Sequence, residues 1–202
     1  MSQDALPAVL AVVGLAGSGK SEATRVLSDV HGYEVVYFGG VVVAEVARRG
    51  LEVNPSNEKD VREDLRAQEG MDAIAARSLP AIGQILDRGG RAAVDGLYSA
   101  GELDRLRGEL SRPVVTLAVH APRWLRKQRL ASRSVRPLTG EEVDTRDVLE
   151  VANLDKAPPI ALADLHVVND SSLDALRERI DEALRGWTLS QAASGSTGTR
   201  TA

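Results

Sequence analysis

Short runs of consecutive apolar residues alternate along this chain with longer stretches whose apolar positions recur every three or four residues. The first pattern predicts strands buried on both faces, the second amphipathic helices. Ala8 to Val13 is the first such strand. A helix starts at Ser21 and ends near His31-Gly32, where glycine suits a C-cap. Tyr33 to Phe38 reads as a second strand, broken by Gly39-Gly40, and Val41 to Arg49 as a helix closed by Gly50. A loop over Leu51 to Asn54 precedes a charged helix that begins at Ser56 or Asn57 and runs to Gln68. Gly70 interrupts it, and helix resumes from Asp72 to Arg88, with Pro80 placed to kink or divide it. Arg91 to Gly96 is the third strand, Glu102 to Leu110 a short helix, and Val114 to Val119 the fourth strand. Pro122 can open a helix over Arg123 to Ser132. Residues 133–159 are polar and irregular, with one acidic helical piece around Glu141 to Val151. Leu165 to Val168 is the last strand and Leu173 to Leu184 the last helix. Ser, Gly, Thr and Ala dominate from Ser190, so residues 187–202 are expected to form a disordered tail. Strands that alternate with helices predict an α/β fold with a parallel sheet covered on both faces.

Composition narrows the function classes. A length of 202 residues suits one sizeable α/β core. Only 3% of residues are aromatic, so the core must be aliphatic, with Trp124 and Trp187 expected to pack rather than to stack on a base. The net charge of −4 argues against general affinity for DNA, RNA or acidic membranes. Absence of cysteine excludes disulfides and thiolate chemistry. No basic n-region and no apolar stretch of spanning length is evident, so a cytoplasmic location is expected. Three scattered histidines, His31, His120 and His166, give no metal-site spacing.

Between the first strand and the first helix lies Gly14-Leu15-Ala16-Gly17-Ser18-Gly19-Lys20-Ser21, which fits G-x-x-x-x-G-K-[ST]. The motif therefore sits where its mechanism needs it. Gly14, Gly17 and Gly19 permit backbone angles that a Cβ would block. The N–H groups of the loop, with Ala16 and Ser18 between the glycines, can surround a phosphate at the positive end of the helix. Lys20 would reach the β- and γ-phosphates, and the Ser21 hydroxyl would ligate Mg²⁺. Asp95 closes the third strand before Gly96, where an aspartate can orient the same Mg²⁺; the plainer reading is a turn residue. Arg123, Arg126, Lys127, Arg129, Arg133 and Arg136 form a basic segment without an acid. Arg126, Arg129 and Arg133 share a helical face, and guanidinium groups there could neutralise a migrating phosphoryl group. A solvated basic face is the alternative.

With these residues placed, the chain resembles P-loop nucleoside-monophosphate-kinase-type proteins over roughly residues 8 to 186. It is most like the archaeal adenylate-kinase-related family, with dephospho-coenzyme A kinases next. Besides the P-loop, the resemblance rests on Val94-Asp95-Gly96, Arg146-Asp147, Ile160 through Asn169, and Ser172-Leu173. It implies a three-layer P-loop NTPase fold with a five-stranded parallel core over residues 8–38, 90–120 and 160–186. It further implies an acceptor-binding insertion at 39–89, a polar lid at 121–157 too charged to supply core, and a donor-adenine loop at Asn169. The activity implied is ATP- and Mg²⁺-dependent phosphoryl transfer to a small, nucleotide-like acceptor, by a monomer or dimer. Lys20 and Ser21 would position the donor, Asp95 would order Mg²⁺, and Arg129 and Arg133 would be the chief lid cations. Two positions depart from the pattern. Val43 and Tyr98 stand where relatives place arginines that hold an acceptor phosphate. Arg62, Arg66 or Arg77 could substitute. Their loss also leaves open a nucleotide-binding ATPase or sensor module without metabolic kinase activity.

Overall fold

A computed structural model describes residues 6–196. Its five strands are β1 (Val9–Val13), β2 (Tyr33–Tyr37), β3 (Arg91–Asp95), β4 (Val114–His120) and β5 (Leu165–Val168). They form one parallel sheet in the order β2-β3-β1-β4-β5. Nine helices accompany them among the described residues. They are α1 (Lys20–His31), α2 (Phe38–Arg48), α3 (Pro55–Glu69), α4 (Ala73–Asp87), α5 (Ala100–Glu109), α6 (Arg123–Ala131), α7 (Gly140–Ala152), α8 (Ala157–Ala161) and α9 (Leu173–Ser196). This is the three-layer architecture that the alternating pattern predicts.

Strand alternation sorts the core into two layers. Val9, Ala11 and Val13 face Phe38, Val42, Leu65, Ile82 and Leu106 on the side of α2–α5. Leu10 and Val12 face Ala23 and Leu27 of α1 and Leu176, Ile180 and Leu184 of α9. Because β1 has β3 on one side and β4 on the other, the chain order reverses at β1. A crevice opens outside the carboxyl ends of strands at such a reversal, and the loop after β1 enters it. Asp164 fixes the approach to β5. Its carboxylate accepts from the Thr116 backbone N–H at 2.8 Å and the Thr116 hydroxyl at 2.7 Å, and its own N–H donates to Thr116 Oγ1.

Four local expectations change. The helix α2 starts at Phe38 and takes in Gly39 and Gly40, because Phe38 is buried and the Tyr37 ring lies where a Cβ on Gly39 would be. Helix α4 runs unbroken through Pro80. The expected disordered tail over 187–202 is helical through Ser196, and residues 197–202 lie outside the described residues. Trp187 packs against the α1–α9 layer and Thr188 donates to the Leu184 carbonyl, so a docked helix carries its good helix formers Gln191 to Ala193 along. Trp124, by contrast, is 66% exposed.

Candidate functional site

The loop from Gly14 to Gly19 is shaped by close neighbours on two sides. Gly14 has φ +147°, and a Cβ there would lie 2.4 Å from the Val119 carbonyl oxygen. Gly19, the N-cap of α1, has φ +100°, and a Cβ would meet the Asn169 amide nitrogen at 2.0 Å. Glycine is therefore required at both positions. Asn169 itself belongs to the loop: its Nδ2 donates to the Ser18 carbonyl at 2.9 Å and its backbone N–H to the His120 carbonyl at 2.7 Å. Ser18 Oγ is buried and has no hydrogen-bond partner among the described residues. An orphaned hydroxyl inside a glycine-shaped cradle at a helix N-terminus fits a missing phosphate oxygen.

Lys20 Nζ curls back to donate to the Leu15 carbonyl at 3.1 Å. Burial, and next the ammonium of Lys156, push Lys20 down to about 7, against the opposing pull of Glu150 and Asp95. Asp95 ends β3 in register with Val12. Burial raises its carboxyl, while Lys20 and Lys156 act the other way. Ser21 is exposed in the first turn of α1. Among the described residues no three His, Cys, Asp or Glu side chains cluster as a metal cage. A hydroxyl and one carboxylate completed by phosphates and water is the arrangement Mg²⁺ uses.

The segment 121–157 lies over this loop. Arg126, 5% exposed, bonds both oxygens of Asp147 at 2.8 and 2.6 Å and donates to the Ala16 carbonyl at 3.1 Å. Lys127 and Arg123 both reach Asp144, at 2.6 and 2.8 Å. The segment also supplies core, contrary to expectation from its charge: Leu130 and Val143 are buried with Ala16 and flanked by Leu138. A capping box of Thr139 and Glu142 starts α7. Arg129 donates to the carbonyl and the side-chain oxygen of Asn169 at 3.1 and 3.2 Å. Arg133 is exposed, with no partner among the described residues. Thus the structure brings Gly14 to Ser21, Asp95, Arg129 and Asn169 together and leaves Arg133 outside.

Two residues near Lys20, Glu150 and Lys156, were not assigned a role from the sequence. Glu150 accepts from Lys156 Nζ at 2.8 Å and from Arg146 Nε at 2.9 Å. Lys156 also lies 4.4 Å from the centroid of the Tyr98 ring. Arg146 and Glu150 sit at i, i+4 in a polar stretch, which reads as a solvated pair. Of the arginines proposed to replace those missing at Val43 and Tyr98, Arg66 faces buried Glu102 at 3.4 Å. Arg77 is paired with Glu45 at 3.2 Å and with Glu69. Arg62 has no carboxylate partner among the described residues.

A protein-family model described as an AAA domain matches residues 13–148. The UPF0200 protein of Methanosarcina barkeri is 33% identical over 89% of this chain and 95% of its own length. The chain belongs to the UPF0200 family. A UPF0200 protein from Halobacterium salinarum is 36% identical over 89% of the chain and 94% of its own length. The UPF0200/UPF0201 protein of Archaeoglobus fulgidus is 37% identical over 87% of the chain, which spans 54% of that protein. Among solved structures, TT1252 from Thermus thermophilus aligns at a TM-score of 0.57 with 23% identity, covering 90% of this chain and 97% of that one. Shikimate kinase from Aquifex aeolicus aligns at 0.54 with 18% identity, covering 88% and 96%. These likenesses establish a P-loop kinase-like fold for this UPF0200 chain. No helix among the described residues is long and apolar enough to cross a membrane.

If a nucleotide binds at this loop, the lowered Lys20 ammonium should make its affinity depend on pH. Burial and Lys156 lower Lys20 to about 7, whereas a bound triphosphate would favour the charged form. Binding then takes up a proton above that pH. Affinity for a non-hydrolysable ATP analogue should fall by up to about tenfold per pH unit above 7.5. Calorimetry in buffers of different ionisation heat should register the uptake. Affinity that is flat from pH 7 to 9 would contradict this protonation of Lys20, whose charged surroundings are Lys156, Glu150, Asp95 and Arg146.

Proposed function

We propose that this chain is an ATP- and Mg²⁺-dependent phosphotransferase of the nucleoside-monophosphate-kinase type, acting on a nucleotide-like small molecule. The observation that carries the reading is the unpartnered Ser18 hydroxyl inside the Gly14–Gly19 cradle, with Lys20 folded back onto the Leu15 carbonyl of the same loop and Asp95 among its charged surroundings. Gly14, Ala16, Gly17, Ser18 and Gly19 line the phosphates through backbone N–H groups. Lys20 neutralises the β- and γ-oxygens. Ser21 and Asp95 would hold Mg²⁺, which supplies charge compensation on the phosphates. Asn169 and Arg129 set the wall of the donor site. Shikimate kinase and a gluconokinase from Sinorhizobium meliloti, the latter at a TM-score of 0.53 and 15% identity, share this fold, which supports a small acceptor.

Residues 121–157 act as the lid and 39–89 as the acceptor-binding insertion around a core of 8–38, 90–120 and 160–186. Arg136 reaches Glu58 at 3.4 Å and so links lid to insertion across the cleft. Arg133, without a partner among the described residues, is free to swing in on closure. A triphosphate in a partly dry cleft strengthens each such contact and excludes water from the transfer. Hydrogen exchange over 121–157 should slow by about tenfold or more with an ATP analogue bound. Equal exchange with and without it would remove the lid and the role given to Arg133.

The second reading is a nucleotide-binding ATPase or sensor. It is favoured by Val43 and Tyr98 and by the commitment of Arg66 and Arg77 to carboxylates. A coupled assay across nucleoside monophosphates, dephospho-coenzyme A and nucleosides separates the two. Transfer to any of these well above hydrolysis supports the kinase. Hydrolysis alone supports the module.

A further inference from the structure

Lys156 is 1% exposed and Glu150 3% exposed, beside the phosphate loop. Removing two charges from water is costly, and well-packed apolar residues of the same volume serve stability as well or better. A buried pair that also engages the half-exposed Arg146 is therefore weak evidence for a stabilising staple and stronger evidence for a site. Backbone strain points the same way. Asp155, a non-glycine residue, has φ +50°, and this left-handed turn delivers Lys156, whose N–H bonds the Glu150 carbonyl at 3.2 Å. Such a conformation costs about 1 kcal/mol or more and persists where the surroundings require it.

The charges do not balance. Lys20, Arg146 and Lys156 share one electrostatic neighbourhood with Glu150, Asp95 and Asp147, and both oxygens of Asp147 are already taken by Arg126. A divalent cation at Asp95 would widen the excess. Arg146 uses Nε on Glu150, and its two terminal amino groups make no hydrogen bond among the described residues. The Lys156 ammonium makes one hydrogen bond, to Glu150, and the Tyr98 ring covers it.

We propose that Lys156, through Glu150, is a positioning residue that sets Arg146 beside Lys20 to form a second phosphate subsite next to the P-loop. This rests on the phosphoryl-transfer reading of the cradle. The ligand chemistry is a tetrahedral phosphate oxyanion, either the acceptor's own phosphate or the γ-phosphate in transit. A subsite for the acceptor's phosphate would do what the missing arginines at Val43 and Tyr98 do elsewhere, with cations delivered by α7 and the turn after it.

The test titrates inorganic phosphate, observed by ³¹P NMR, into protein loaded with Mg²⁺ and either a non-hydrolysable ATP analogue or ADP. The expected result is one saturable phosphate per chain with the analogue bound, which assigns the subsite to the acceptor. Saturable binding with ADP only assigns it to the γ-phosphate position. In either case Lys156→Met should weaken phosphate by about tenfold or more, and Lys156→Arg should restore most of it. Thermal unfolding of each variant separates a lost fold from a lost subsite. If Lys156→Met does not fold, the neutral pair Glu150→Gln with Lys156→Met takes its place. No saturable phosphate under either loading, or equal affinity in wild type and Lys156→Met, overturns the subsite. Failure of the analogue itself to bind overturns the phosphoryl-transfer reading, and the same variant comparison on nucleotide-free protein then decides the subsite alone.

Discussion

Replacing Lys20 with alanine should lower turnover by about a hundred- to a thousandfold while the protein stays folded. Among the described residues the side chain makes one hydrogen bond, to the Leu15 carbonyl of its own loop. Its ammonium is instead held where charge is disfavoured, down at about 7 from an ordinary 10.5. The linkage has a definite sign. A lysine whose folded value is depressed opposes folding at pH below 7, and that opposition fades as pH rises from 7 toward 10.5. Removing it should leave the melting temperature unchanged or higher at neutral pH. Its contribution belongs to the transition state, where negative charge on the migrating group is met by a fixed cation in a low-dielectric cleft. Loss of one such group typically removes two to three orders of magnitude, about 3–4 kcal/mol. Steady-state kinetics with circular dichroism on the same preparation checks both halves. Undiminished turnover would remove Lys20 from the chemistry, and an unfolded variant would make it a structural residue.

Gly14→Ala should be the most damaging small substitution in the loop. The new methyl would lie 2.4 Å from the Val119 carbonyl oxygen and 2.8 Å from Ser18 Oγ. The first neighbour is backbone of β4, which is held between β1 and β5 and cannot step aside. The φ of +147° adds strain of its own. Overpacking and backbone strain together should destabilise by roughly 3–5 kcal/mol. For a domain of this size that lowers the melting temperature by about 10 °C. Nucleotide binding should vanish with it, since the cradle must open to admit the methyl. By contrast Gly83→Ala, in α4 with nothing within 4 Å of a Cβ, should leave stability equal or higher. Equal melting temperatures for the two variants would refute the geometry of the loop.

Legibility in the sequence followed locality. Gly14 to Ser21 is one contiguous stretch whose constraints are mostly its own backbone angles, so motif and position emerged together. Apolar runs marked all five strands; β1, β3 and β4 are buried by helices, whereas the edge strands β2 and β5 leave Val35, Tyr37 and Val168 exposed. Asp164 was legible as a distinctive residue but not as a clip on Thr116, 48 positions earlier. The bond from the Asn169 amide to Ser18 in the phosphate loop, 151 positions away, was not legible. Lys156 and Glu150 left no signal, because residues six apart in a polar segment look solvated unless the fold buries them. The charged run at 123–147 hid Leu130, Leu138 and Val143, whose small core becomes visible only when α7 folds back on α6. Helix α9 outran its expected end because docking upstream, at Leu184 and Trp187, supports residues whose composition alone predicts disorder.

The destination of the γ-phosphoryl group separates a phosphotransferase from a nucleotide-hydrolysing module. ³¹P NMR of the protein with Mg²⁺·ATP and a mixture of nucleoside monophosphates, dephospho-coenzyme A and nucleosides reads that destination directly. The expected spectrum shows ADP growing with an equal amount of one new phosphorylated product, and inorganic phosphate far behind. A spectrum in which inorganic phosphate alone matches the ADP, whatever acceptor is present, would contradict the phosphotransferase.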